Sequence, residues 1–205
     1  MNFVEVISKM SVFSWSILLM TCLFLSFLIW RFLPVIFEEP EYQVLRKAEN
    51  FEVRIYPKIL VASLDRKGKR DWALRNAFPY LAEYIGGKNR EGGKISMTVP
   101  VIQTKDNEKE AWKVSFIMPN KFSAKSIPKP KNSEIRLNEM TPFKVGVVRF
   151  SGRWNDQVFQ LQERLLRNWL KAEGFSKPMR IIYAFYNGPM TPGIFRRNEI
   201  LLILE

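Results

Sequence analysis

From Met10 to Trp30 the chain reads MSVFSWSILLMTCLFLSFLIW, without one charged side chain. As a helix this run rises about 30 Å, the hydrocarbon thickness of a bilayer. Apolar residues surround it and leave no polar stripe, which suits a lipid-facing helix better than a buried one. Lys9 and Arg31 bracket the run, and Trp15 and Trp30 suit the two interfaces. Its end is bulky, so no cleavage is expected. The pattern predicts an uncleaved N-terminal anchor over 1–31, transmembrane at about 10–30, then a linker at 32–40. Charge beside the run decides orientation only weakly.

Beyond the linker the period changes. FEVRIY (51–56) and FKVGVV (143–148) alternate apolar and polar residues, as half-buried strands do. Phe51, Val53 and Ile55 precede Phe143, Val145 and Val147 by 92 positions each. Each strand is expected to lead into a helix. DWALRNAFPYLAEYIGG opens at Asp71, a good N-cap, and closes on Gly86 and Gly87. Pro79 should kink it. NDQVFQLQERLLRNWLKAEG places Val158, Leu161, Leu165, Trp169 and Ala172 on one face and ends at Gly174. Two strand candidates follow each helix: KISMTVPVIQ and AWKVSFIM, then MRIIYAFY and EILLIL. The chain from 41 to 205 thus reads as a duplicated ββαββ unit, with halves at about 41–119 and 133–205. The expected fold is α+β, a distorted antiparallel β-barrel of about eight strands with two helices, after one transmembrane helix. A basic, proline-rich connector spans 120–133.

Charge narrows the partners. Lys and Arg number 32 against 20 Asp and Glu, a net charge of +12. Such a chain suits anionic lipid, acidic small ligands or nucleic acid, but the basic residues are scattered and no nucleic-acid motif is present. The chain lacks histidine, which removes imidazole metal ligands and Ser-His-Asp or Cys-His catalysis. Its one cysteine, Cys22, excludes an intrachain disulfide.

GGKNREGGKIS (86–96) has the glycines and lysine of a phosphate-binding loop in the wrong setting. It follows a helix and precedes a strand, Ile95 stands after Lys94, and Lys88 replaces the first glycine. A nucleotide site is not expected on that logic. Glu38 and Glu39 lie in the linker, and no base stands beside a nucleophile, so no enzyme activity and no catalytic or metal-ligating residue is expected.

Several stretches together resemble the SOUL haem-binding protein family. YIGGKNREGGKISMTVPV (84–101) is similar to its helix end, Gly-Gly and Met-Thr-x-Pro strand. IMPNKF (117–122) matches its Pro-Asn turn, and YNGPMTPGIFRRNEILLIL (186–204) its C-terminal segment. ALRNAFPYLAEY (73–84) resembles the family helix, Pro79 included. The resemblance covers about 40–205 and leaves the anchor outside it. It implies a duplicated, distorted barrel and a monomeric tetrapyrrole-binding module, with haem or porphyrin against the first helix of the domain. It also implies that Arg75 pairs with a propionate and that Phe78 stands against the ring.

Physical reading of the same residues leaves alternatives open. Arg75, Phe78 and Ala82 share one shoulder of the helix and offer a cation, an aromatic and a gap. Phe78 equally suits a core and Arg75 equally suits water. Met97 could line a pocket or simply fill the core, and Lys94 could meet an acidic ligand edge or stay hydrated. Cys22 lies in the anchor, which leaves Met97, Met118, Met190 and Tyr84 as candidate protein ligands for haem iron, none of them well placed. Weak binding without histidine ligation is expected. The functional expectation is a membrane-tethered tetrapyrrole carrier, buffer or sensor. Two alternatives are a module for another amphipathic small molecule, and a basic membrane-surface interaction protein with no small ligand. The duplicated plan also resembles effector-binding domains of some bacterial regulators, which favours the first alternative.

Overall fold

The computed structural model describes residues 12–32, 37–88, 92–106, 110–175 and 180–204. The flanks of the expected anchor at 1–11 and part of the linker at 33–36 lie outside them. The chain divides into two units, residues 1–37 and 38–205.

The first unit contains helix α1, Val12–Phe32. Its side chains are exposed on every side where described, Leu19 at 63%, Met20 at 71% and Phe24 at 61% among them. Among the described residues no helix is long and apolar enough to cross a membrane. The structure therefore gives the expected membrane crossing no support, although a helix stands at its place.

Among the described residues, the second unit is one antiparallel sheet of nine strands carrying two α-helices. Its elements are β1 (Gln43–Ala48), β2 (Phe51–Tyr56), β3 (Ile59–Lys67), α2 (Arg70–Gly86), β4 (Val101–Asp106), β5 (Ala111–Ile117), β6 (Arg136–Met140), β7 (Phe143–Phe150), α3 (Asp156–Ala172), β8 (Ile181–Phe185) and β9 (Asn198–Leu204). The sheet order is β1-β2-β7-β9-β8-β4-β5-β3-β6, open at both ends. The fold is thus α+β, as the sequence suggests, but the sheet is a half-barrel and holds one strand more than expected.

Two residues explain its curl. Only Pro57 and Lys58 separate β2 from β3, yet these strands stand near opposite ends of the order. Met140 and Phe143 impose the same closeness on β6 and β7. The sheet must bend to bring its wings together. The hollow of the bend is filled by Tyr56, Ile59, Val61, Ile102, Ile117, Val145, Val147, Ile182 and Leu201. The opposite face carries both helices on a larger core around Leu64, Leu81, Val114, Phe116, Phe159, Leu166, Leu170 and Leu202. Alternation along the inner strands feeds the two cores in turn, as Leu60 and Ala62 of β3 face one and Ile59 and Val61 the other.

Strand equivalence differs from the 92-residue match. FEVRIY and FKVGVV are β2 and β7, which pair with each other, Phe51 opposite Val148 and Tyr56 opposite Phe143. After β1, two strands stand directly before each helix, so matching the halves by order aligns β2 with β6 and β3 with β7. In the sheet β2 and β6 have changed places: β2 lies on β7 of the second half and β6 on β3 of the first.

Helix details also shift. Helix α2 begins at Arg70, with Lys69 as an N-cap that makes no side-chain bond, and Asp71 falls in the first turn. It passes through Pro79, which is exposed, and ends where Gly87 adopts φ 88°. Helix α3 begins after Asn155, whose side chain accepts from Gln157 N at 2.8 Å. Its buried face is Phe159, Leu166 and Leu170, while Leu161 and Leu165 are exposed. Its apolar sector is wider than the sheet can cover, and the sheet takes the Phe159 edge. The segment KISM (94–97) is irregular, since β4 begins only after Pro100.

Candidate ligand-binding site

The shoulder of α2 carries the residues that the sequence singles out. Arg75 is exposed, and its guanidinium donates to Asp71 Oδ2 at 2.8 Å, one turn back. Phe78 is 39% exposed, and its ring meets Phe116 edge to face at 5.1 Å. Ala82 is half-buried against the helix-covered core. The inward side of α2 uses Ala73, Leu74, Ala77, Leu81, Tyr84 and Ile85. The shoulder is therefore an apolar ledge, one face of Phe78 anchored and the rest open, with a cation held by a single exposed carboxylate.

Met97 and Lys94 lie in the segment that follows α2. Ile95 N donates to the Ile85 carbonyl at 2.8 Å and ties this segment to the helix end. Met97 is half-buried against the same core as Ala82, and Lys94 is exposed. Of the other candidate iron ligands, Met118 is buried in the core and Met190 is 92% exposed. The Tyr84 hydroxyl is engaged, donating to the Pro128 carbonyl at 2.6 Å. Among the described residues no three His, Cys, Asp or Glu side chains group as metal ligands. The ledge offers an aromatic face at Phe78, a small gap at Ala82 and a cation at Arg75. It offers no strong axial donor.

The hollow of the curled sheet is closed to such a ligand. Its apolar cavity, lined by Tyr56, Ile59, Ile102, Met140, Phe143 and Tyr186, measures about 20 Å³, enough for little more than one water. Beside it lies a charged cluster that sequence reading missed. Arg54 Nη1 donates to Glu199 Oε2 at 2.8 Å with both side chains buried. Tyr186 Oη donates to the same oxygen at 3.0 Å. Arg197 reaches Glu199 at 3.0 Å and Glu39 at 2.9 Å. Burial works against the charge of Arg54, but Glu199 outweighs it and holds the group more firmly protonated than usual. Burial also pushes Tyr56 up to about 12. These charges are satisfied among themselves and brace β2 against β9.

A larger cavity, about 440 Å³, opens where both helices begin. Lys69 and Arg70 at the start of α2, Asp156 and Phe159 of α3, and Lys105, Trp112 and Tyr183 of the sheet line it. Sequence reading missed this site too. KGKRD (67–71) reads as a hydrated charge run, and only an arginine at a helix N-terminus, where the dipole repels it, marks the place.

The SOUL heme-binding protein family model matches residues 37–203. Heme-binding protein 1 of Mus musculus is 32% identical over 139 residues, 65% of this chain and 72% of that protein. Heme-binding protein 1 of Sus scrofa is 30% identical over 172 residues, 79% of this chain and 90% of that protein. Heme-binding protein 2 of Homo sapiens is 28% identical, covering 75% and 78% respectively. Among solved structures, the EcmrR C-terminal domain superposes with a TM-score of 0.59 at 15% identity, over 80% of this chain and 98% of that one. A hydrolase from Listeria innocua superposes with a TM-score of 0.51 at 14% identity, over 78% and 94%. At such identities these two structures establish the fold alone.

Proposed function

Because the chain belongs to the SOUL heme-binding protein family, we propose that it is a tetrapyrrole-binding module, a carrier, buffer or sensor rather than an enzyme. The observation that carries this is the family match across almost the whole second unit, 37–203. The ledge on α2 supports a site there. Phe78 and Ala82 would hold the ring, and Arg75 would exchange Asp71 for a propionate. That exchange costs little, because Arg75 and Asp71 are both exposed and such ion pairs are weak. Lys94 and Met97 would border the ring beyond the helix end. Haem would bring iron chemistry and a visible spectrum. This chain would contribute burial and charge, without imidazole. Titration of the purified chain with haem, metal-free porphyrin and a bile pigment tests the reading. Similar affinity for the metal-free ring supports it, and a histidine-type low-spin spectrum or no saturable binding of any of the three overturns it.

The reading includes a membrane tether through α1, resting on the uncharged run at 10–30 and the exposed apolar side chains of this helix. Recovery of the intact chain in the soluble fraction, without detergent, would overturn that part.

Attachment of the domain to an anionic membrane surface is a second reading, favoured by one observation. Met190, Ile194 and Phe195 are 92%, 75% and 49% exposed. Phe195 lines a hollow of about 270 Å³ together with Arg149, Arg196 and Arg197. Apolar side chains beside arginines suit a lipid headgroup layer. Co-sedimentation with anionic vesicles that salt abolishes would support it, and equal binding to neutral vesicles would overturn it.

A further inference from the structure

We infer that the arginine hollow between the end of β7 and the β8–β9 loop is a headgroup site, and that it takes a phosphomonoester lipid at an anionic membrane surface. This rests on the surface reading given above and names the lipid it would select. The loop that borders the hollow is firmly built. Arg196 Nε and Nη2 donate to the carbonyls of Thr191 and Pro189, each at 2.7 Å. The same guanidinium packs 4.6 Å from the Trp154 centroid. Gly152 N donates to the Gly193 carbonyl at 2.9 Å, and Arg197 N to Asn187 Oδ1 at 2.7 Å. Gly193 lies so close to the chain before α3 that a Cβ would stand 3.2 Å from Arg153 N. A loop braced in this way nevertheless holds Met190 and Ile194 in water, at 92% and 75% exposure. Fixed display of large apolar side chains marks an interaction surface.

Charge selects the partner. Asn50, Arg149, Ser151, Phe195, Arg196 and Arg197 line the hollow, and among the described residues no carboxylate does. Arg197 is already engaged by Glu39 and Glu199. The Arg196 side chain donates to neutral carbonyls, and among the described residues Arg149 forms no ion pair. Two guanidinium charges are therefore left uncompensated, which suits a dianion. A phosphomonoester carries close to two negative charges at neutral pH and offers three acceptor oxygens, to which arginine forks donate in pairs. A phosphodiester carries one charge and matches less well. Asn50 and Ser151 add neutral donors.

The apolar side chains select the source of that phosphate. Met190, Ile194 and Phe195 beside a bound headgroup would meet the acyl boundary, which a soluble phosphate does not supply. Glu39, the partner of Arg197, follows Trp30 by nine positions. So short a linker keeps the domain beside the surface of any membrane that holds the uncharged run.

The test uses the full chain carrying Cys22→Ser and Ile194→Cys, labelled at position 194 with an environment-sensitive dye. It is reconstituted in phosphatidylcholine vesicles that contain phosphatidic acid or, at equal surface charge, phosphatidylglycerol. The dye should enter lipid and shift to the blue with phosphatidic acid, shift less with phosphatidylglycerol, and stay unshifted in phosphatidylcholine alone. Arg149→Gln should weaken the response to phosphatidic acid about tenfold and bring it to that of phosphatidylglycerol. Arg149→Lys, which keeps the charge and loses the fork, should fall between. Thermal melts should match the parent, since the Arg149 side chain braces nothing. Free glycerol 3-phosphate should not reverse the shift. Equal shifts with both anionic lipids, an unchanged response in the two Arg149 variants, or full reversal by glycerol 3-phosphate would overturn the headgroup site and leave surface attachment standing. No shift in any vesicle, or the same shift in phosphatidylcholine alone, would remove surface attachment together with it.

Discussion

Arg70 and Asp156 hold the same position in the two halves of the repeat, the first residue of a helix, and there they touch: Arg70 Nη2 donates to Asp156 Oδ1 at 2.6 Å. Opposite charges at equivalent positions let two helix starts face one another. Asp156 suits the positive end of its own helix and offsets an arginine that does not suit the other. Asp156→Ala should leave the buried guanidinium short of both its side-chain bonds. The carboxylate is 69% exposed, so water recovers part of the loss. A destabilisation of about 1–2 kcal/mol is expected, measured by urea unfolding.

Glu199 should matter more. It is fully buried and is shared by Arg54, Tyr186 and Arg197. Glu199→Gln removes the countercharge and leaves Arg54 buried beside a neutral amide. A loss of about 3–5 kcal/mol is expected by the same measurement.

Gly146 of β7 has no room for a side chain. A Cβ there would stand 2.5 Å from Leu170 Cδ2 of α3. Gly146→Ala should cost about 1–3 kcal/mol by lifting the helix or forcing Leu170 off its rotamer. Adding Leu170→Ala should relieve that clash, so the double variant should be more stable than the two single losses add up to. Strict additivity would show that the two residues do not meet.

Alkali should weaken the fold through its buried phenols. Burial pushes Tyr56 and Tyr183 up to about 12, and Tyr186 well above its ordinary value. Unfolded tyrosine ionises near about 10. The folded form thus binds these protons more tightly, and the resulting stability is complete below about pH 10. It is lost as pH climbs through about 12. Phenolate absorbance should show three tyrosines ionising late, and those should coincide with unfolding followed by circular dichroism.

Arg75→Ala should lower tetrapyrrole affinity about tenfold or more if a propionate replaces Asp71, and should barely change stability. Asp71→Ala should raise affinity slightly by freeing the guanidinium. An unchanged affinity in Arg75→Ala would remove this role.

The sequence made some of this visible and hid the rest for physical reasons. Periodicity located both helices, because each carries an apolar face and a glycine at or just beyond its end, Gly87 and Gly174. It located the strands at 51, 111, 143, 181 and 198 for the same reason. It missed β1 and β6, which bury little, and it missed β3, since LVASL is buried on both faces and shows no alternation. That omission misaligned the halves, because the apolar likeness of FEVRIY and FKVGVV reflects neighbours on one face, not equivalent strands. The ledge was legible, since Arg75, Phe78 and Ala82 are local to one helix. The cavity at Arg70 was not, because its walls come from five separate stretches of chain that only the folded sheet brings together. The Arg54–Glu199 pair, 145 positions apart, was hidden in the same way.

The exchange of β2 and β6 has an effect on the chain as an object. Severed in the 120–133 connector, it would give two pieces, each deprived of its own outermost neighbour: β3 bare in one, β7 bare in the other. Neither piece could close its sheet except by finding its complement. The two halves are interlocked through their strands, and each covers an edge that the other would leave bare.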